Sequence, residues 1–342
     1  MSAPSREAVV SVDVPVPSFT HLRSLTDAGG VYEHANGTAP RPVHGYCLDD
    51  VARALVVVCR EPGTAVDDLR EQYLSFVVDA QDRDGRFHNR RRIDLSWSDE
   101  PSVEDCWGRA LWGLGTAVAR SPDLRVRALE AFNRGARLRS PHRRAMAFAA
   151  LGAAEVLAAL PSHDGAKRLI IAAAAVIGRP TLDKAWPWPE PRLSYANAAL
   201  PDALLAAGAA LDAPDLVADG LGLLGWLLDQ QTRDGHLSVV PSGGRGPGET
   251  EPGFDQQPIE VAALADACAR AHLVARRPRW AVGIRLAAAW FGGANDSGVS
   301  LYGQEGGGCD GLESVGRNEN QGAESTLALL STLQQARSTA SA

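Results

Sequence analysis

The sequence predicts an all-α fold, an (α/α)6 toroid built as a closed ring of six helical hairpins, with short β-hairpins in the loops on one face. Three observations predict it. Apolar residues recur at i, i+3, i+4 and i+7 in many windows of the 342-residue chain, while strand signals are few. Two kinds of helix alternate along it. The connections between them alternate as well, short then long.

In chain order, "SFTHLRSLTDA" (18–28) is a short first outer helix. "HGYCLDDVARALVVVCRE" (44–61) opens with polar and aromatic groups and two adjacent carboxylates, then turns apolar, as an inner helix would. "AVDDLREQYLSFVVDAQ" (65–81) carries charge on one face, the mark of an outer helix. The pattern then repeats. Inner helices are read at 103–119, 141–160, 195–211, 256–272 and 320–336, and outer helices at 121–136, 162–178, 213–231 and 277–293. Each inner segment is rich in Ala, Gly and Leu and keeps its polar groups in the first turns. Their starts fall roughly 40–65 residues apart, the spacing of stacked helix-pair units.

Inner-to-outer connections are short: 61–64, 120, 161, 212 and 273–276. Outer-to-inner connections are long (29–43, 82–102, 179–194, 232–255 and 294–319), apart from the short one at 137–140. Alternation therefore gathers the long loops on one face, together with the polar ends of the inner helices, and long loops in a compact domain are usually functional. "DAQDRDGRFHNRR" and "LDQQTRDGHLSVV" each leave a helix at a D-G turn and enter a strand or hairpin. The charge at 89–92 reads as a solvated hairpin. The toroid is placed at 18–336, with an extension at 1–17 and a disordered tail at 337–342.

Bulk properties narrow the class. Hydrophobic residues make up 45% and charged residues 22%, as in soluble globular proteins. The net charge of -7 argues against nucleic acid or an anionic membrane as partner. No basic-then-apolar leader opens the chain, and "LIIAAAAVIG" (169–178) is too short to span a bilayer, so a cytoplasmic location without membrane insertion is expected. The five cysteines form no C-x-x-C pair, so neither disulfides nor a metal is expected, and no cofactor either.

The inner-helix mouths supply the candidate site. The first offers His44, Tyr46, Asp49, Asp50 and Arg53, the second Glu104, Asp105, Trp107 and Arg109, and the third His142, Arg143 and Arg144. The fourth offers Tyr195 and Asn197 after a loop carrying Trp186, Trp188 and Glu190. Asp255, Gln256, Gln257 and Glu260 belong to the fifth. The sixth has Asn318, Asn320, Gln321 and Glu324, preceded by Asp310 and Glu313. No phosphate-cradling glycine motif and no G-x-S-x-G elbow accompanies them. Acids, amides and aromatics suit sugars, whose hydroxyls bond to carboxylates and amides and whose C–H faces lie on flat rings. Competing roles are structural: an N-cap for one of Asp49 and Asp50, core packing for Trp186 and Trp188, and pairing with neighbouring carboxylates for Arg53 and Arg109. A helix N-terminus depresses a carboxyl pKa, so a general acid needs burial or a like-charged neighbour. Glu104 or Asp105 is read as the acid, with Asp49, Asp50 or Glu260 as base.

The stretches "HGYCLDDVARAL", "SVEDCWGRALWGLG", "LSYANAALPDALL", "FDQQPIEVAALADAC" and "GGCDGLESVGRNENQGAESTLALL" run from about 44 to 333. In them the chain resembles the six-hairpin-toroid carbohydrate enzymes, and in particular a bacterial family of sugar-metabolism loci, sometimes fused to glycosyltransferase domains and often labelled as such. That family has Asp-Asn where this chain has Ala196–Asn197. The resemblance implies a saccharide-handling toroid, with a glycosyltransferase or another sugar-locus enzyme as partner, and carries over no catalytic pair. The leading expectation is a glycoside hydrolase with paired carboxylates, inverting because a wide cavity leaves room for water. A sugar isomerase or epimerase would instead bring two or more histidines to the cavity floor. A glycan-binding accessory module would do no chemistry.

Overall fold

A computed structural model of the chain describes residues 14–340. Most of the extension read at 1–17 and the last two residues of the tail lie outside that range. Among the described residues, twelve α-helices alternate between the two expected kinds. The outer set is α1 (Thr20–Ser24), α3 (Asp67–Asp79), α5 (Arg125–Gly135), α7 (Asp164–Ile177), α9 (Pro214–Gln230) and α11 (Pro278–Phe291). The inner set is α2 (Leu48–Arg60), α4 (Asp105–Arg120), α6 (Arg143–Ala159), α8 (Ala199–Leu211), α10 (Pro258–Ala275) and α12 (Ala323–Ala340). Each inner helix packs on the next and α12 returns to α2, so the ring closes as an (α/α)6 toroid. The sequence ended the last helix at 336, whereas α12 continues to Ala340.

Inner helices are apolar almost all round because they are covered on both sides. Residues 106–118 of α4 are buried without a break. The tightest seam lies between α4 and α6, where Gly108, Gly115 and Gly152 let backbone meet backbone. A Cβ on Gly152 would stand 2.1 Å from the Leu111 carbonyl oxygen. Between the inner helices, ion pairs cross the ring's centre. Arg60 pairs with Asp266 at 2.8 Å and Arg270 with Asp202 at 2.5 Å.

The long loops carry the short hairpins. Thr232–Arg233 pairs with His236–Leu237 around the Asp234–Gly235 turn, as the D-G signal predicted. The 89–92 stretch forms the expected exposed hairpin, with Arg91 opposite Trp97, and its other edge makes a second pairing. Arg90–Arg91 pairs antiparallel with Tyr46–Cys47, which leads straight into α2. This brings Asn89 over the start of that helix. Its amide oxygen accepts the Asp49 backbone N–H at 3.2 Å, and its amide nitrogen donates to the Asp49 carboxylate at 3.0 Å. The N-cap position is Cys47, without a side-chain cap bond. The capping reading therefore fails for both aspartates: a residue from another loop satisfies this helix end.

Candidate functional site

Two polar cavities open at the long-loop end. The first, about 390 Å³, is lined by Asp49, Asp50, Arg53, Asp255, Gln257, Asp310, Asn318 and Glu324, with Glu33, His34 and Arg90 on the loop side. The second, about 530 Å³, lies between α4, α6 and the 179–194 loop and is lined by Glu104, Asp105, His142, Arg143, Arg144, Glu190 and Tyr195.

In the first cavity Arg53 is the hub. Its two terminal nitrogens donate separately, one to Asp50 at 2.5 Å and one to Glu324 at 2.6 Å, which ties α2 to α12. The two carboxyls respond in opposite ways. Burial pushes the Asp50 pKa up to about 7, and Glu324, Glu33 and Asp49 reinforce the shift against Arg53. Burial also works to raise Glu324, but the charge and hydrogen bond of Arg53 outweigh it and hold that group below its usual value. Asp50 can therefore carry a proton near neutrality beside an ionised Glu324. Carboxyl groups pushed apart in this way are how acid and base roles are assigned. Burial also raises Asp255 and Asp310. Glu33 offers an oxygen within 4.8 Å of an Asp50 oxygen and is bound by Arg90.

Arg109 belongs with this group through Asp49, not through the acids that precede it on its own helix. Its Nε lies 3.2 Å from Asp49 Oδ1, and its guanidinium stacks on Phe148 at 4.3 Å from the ring centroid.

The second cavity has its own network. Arg144 pairs with Glu190 at 2.8 Å and donates to Asn197 Oδ1 at 3.1 Å. Asn197 in turn donates to Glu260 at 2.8 Å. Tyr195 stacks on the Arg144 guanidinium and donates its hydroxyl to Asp105 at 2.5 Å. Glu104 is exposed.

Several expected site residues stand behind the walls. Trp107 is fully buried, with its indole N–H on the Gly135 carbonyl, and Trp188 is core packed against Trp226. Trp186 is half-buried on the same Trp226, so both loop tryptophans pack as structure. Tyr46 is buried with its hydroxyl on Asp27, and Gln256 is buried between Gly253 and Asp296. Gln321 faces the glycines at 303 and 307, and Asn320 accepts from the Gly37 backbone. Asn197 is fully buried as the bridge just described. Glu313 is exposed, and His44 is exposed with its ring edge-on to His34 at 4.8 Å. These two histidines meet at the rim of the first cavity. Sequence reasoning did not find Glu33, His34, Asn89 or Arg90, which come from loops with no helical signal. Only the D-G turn of "RDGRFHNRR" pointed toward the last two.

Glu260, read as a possible base, is buried and lines neither cavity. Burial raises its pKa to about 7, only partly offset by Asn197 and Arg144. The folded state thus holds this proton more tightly than the unfolded chain does. The resulting stability is fully present below about 4.5 and is lost as pH rises toward about 7. The loss is on the order of 3 kcal/mol at about 1.4 kcal/mol per unit. Between pH 5 and pH 8 the wild-type thermal midpoint is expected to fall, and Glu260→Gln, which keeps an acceptor for Asn197, is expected to flatten that fall. An unchanged slope in the variant would assign the pH dependence elsewhere. Asp50 shifts in the same direction, so some slope remains.

No protein-family model matches the chain, and no curated protein does. Solved structures match its fold. A sugar epimerase from a ruminal bacterium superposes with a TM-score of 0.70 at 13% identity, over 95% of this chain and 97% of that one. The cellobiose 2-epimerase of Bacillus thermoamylovorans gives 0.69 at 9% identity, over 94% and 96%. An α-1,6-mannanase of Salegentibacter gives 0.66 at 8%, over 93% and 95%. It is an inactive variant with two consecutive aspartates replaced by alanine, in complex with an α-1,6-linked mannose tetrasaccharide. Among the described residues, no helix is long and apolar enough to cross a membrane.

Proposed function

We propose that this protein is a carbohydrate-active enzyme, a glycoside hydrolase in which Asp50 is the general acid and Glu324 the base that activates water. The observation that carries this reading is the divergence of two carboxyls around Arg53, one protonated near neutrality and one held ionised. This reverses the assignment expected from sequence, in which Asp50 was a base and Glu104 or Asp105 the acid. Among the described residues, Asp50 is hydrogen-bonded only through Oδ1, to Arg53, which leaves its other oxygen for the proton. Asp49, Arg109, Asp255, Gln257, Asp310 and Asn318 supply hydroxyl partners. Tyr195 and Asp105 extend the binding face into the second cavity. Glu33 stands too near Asp50 for an inverting partner, which needs roughly 6.5–9.5 Å for the intervening water. Glu324, on the other arm of the guanidinium, is the ionised carboxylate assigned that role. The inactive mannanase variant lacks two consecutive aspartates, and this chain carries consecutive aspartates at Asp49–Asp50.

The epimerase reading has two observations in its favour: sugar epimerases are among the structures that share this fold, and His34 contacts His44. Both rings sit at the rim, however, and the carboxylates occupy the depth of the cavity. The two reactions separate cleanly in a mass-spectrometric product screen against gluco-, manno-, galacto- and arabino-oligosaccharides. Shortened products are the expected result. Products of unchanged mass but altered retention would replace the hydrolase with an isomerase.

A further inference from the structure

On the outer wall, between the end of α5 and the start of α7, lies another cavity of about 450 Å³. Asn133, Arg137, Arg139, His163 and Arg168 line it. No carboxylate does, whereas carboxylates line both cavities at the long-loop end. Among the described residues none of these three arginines forms an ion pair, while Arg53, Arg60, Arg144 and Arg270 are all paired. The nearest acid in sequence, Asp164, opens α7 without lining the cavity. A chain of net charge -7 thus gathers three uncompensated guanidiniums in one hollow.

Two of the lining groups are held in place. Arg139 folds back over the end of α5, where one terminal nitrogen donates to the Ala136 and Leu138 carbonyls at 2.8 and 2.6 Å. Its Nε and its other terminal nitrogen have no partner among the described residues. Burial and the charge of Arg168 both act to lower the Arg139 pKa, so the two guanidiniums feel each other. Like charges held together in this way are relieved by an anion between them. His163 is fixed by its Nδ1, which accepts the Ala166 backbone N–H at 3.1 Å, and by its edge-on contact with Phe132. In the neutral ring its proton therefore sits on Nε2, which adds a donor to the wall. Asn133 adds an amide. Several donors from separate directions, with an excess of positive charge, match the tetrahedral oxygens of a dianion better than an uncharged sugar. A phosphate monoester carries about -1.5 to -2 at neutral pH.

We propose that this outer-wall cavity is a binding site for a phosphate group, either free phosphate or the monoester of a small molecule, held by Arg137, Arg139 and Arg168. The site is separate from the sugar cavities and does not rest on the hydrolase reading.

Calorimetric titration of the full-length protein at physiological salt tests it, with inorganic phosphate, glucose 6-phosphate and glucose as probes. Saturable binding of one or both phosphates and none of glucose is the expected result at this site. Glucose 6-phosphate binding at least tenfold tighter than phosphate would identify an ester as the ligand, and equal affinities would identify the free anion. The double variant Arg137→Gln, Arg168→Gln should weaken binding at least tenfold. The control Arg83→Gln, Arg285→Gln removes two exposed charges elsewhere and should leave affinity within about twofold of wild type. A crystal of the wild-type protein soaked in phosphate needs no variant to fold and should show the anion on Arg139 and Arg168. No saturable binding in solution, equal weakening by both double variants, or an adventitious ion only, seen in the crystal without binding in solution, would overturn the proposal. Phosphate binding as expected with no shortened oligosaccharides would leave this site standing while the hydrolase assignment falls, and the reverse result would do the opposite.

Discussion

Replacing Asp50 by asparagine is expected to lower kcat by on the order of 10³, within the roughly 10²–10⁴ that a positioned general acid contributes. The amide keeps the volume and can still accept from Arg53, so folding and saccharide binding should survive. The wild-type pH profile provides the independent readout. Asp50 donates only while protonated, so kcat should decline as pH rises through about 7. The depressed pKa of Glu324 keeps the base ionised well into the acid range, leaving a broad lower plateau. Glycosides with a good leaving group need less protonation, and Asp50→Asn should retain far more activity on them. An equal loss on good and poor leaving groups would remove Asp50 from the acid role.

The second large effect is on stability. Gly152→Ala should destabilise the protein by about 3–5 kcal/mol, at the severe end for single substitutions, because the new methyl meets backbone that has no rotamer to change. The added Cβ would stand 2.1 Å from the Leu111 carbonyl oxygen and 2.5 Å from its carbon. Helix propensity alone predicts the opposite sign, a gain of up to about 1 kcal/mol. Gly222 in α9 is the control. A Cβ there has nothing within 4 Å, so Gly222→Ala should stabilise by about 0.5–1 kcal/mol. Urea unfolding of the two variants side by side measures both signs. A loss below about 1 kcal/mol at position 152 would mean that α4 and α6 can separate without penalty.

The toroid was legible because its signals are local and repeated. Polar first turns, small apolar interiors and loop lengths recur hairpin by hairpin, and each can be read within one segment. The site was legible only as a ring of mouths. Asp50, Glu104, Glu260 and Glu324 look alike in sequence, each an acid at or near the start of an inner helix. What distinguishes them is cover from elsewhere: Arg53 reaching across to Glu324, Asn197 closing over Glu260, open solvent at Glu104. Asn89 shows the same limit. Its role depends on strand pairing between segments some 40 residues apart, which periodicity does not report. Trp107 and Trp188 were misplaced for a related reason. An aromatic residue near a helix mouth can point to the cavity or to the outer layer, and only the packed ring decides.

The Arg53–Glu324 bond joins residues 271 positions apart, and Gln334 adds a bond to the Val57 carbonyl on the same seam. In a chain made from its N-terminus, the proposed acid on α2 exists long before the proposed base on α12. Until α12 leaves the ribosome, Arg53 lacks one of its two anions and the central cavity lacks a wall. The proposed reaction centre is therefore complete only once α12 has been made. A product stalled before α12 could carry eleven of the twelve helices and Asp50 itself, and still be inert toward a saccharide.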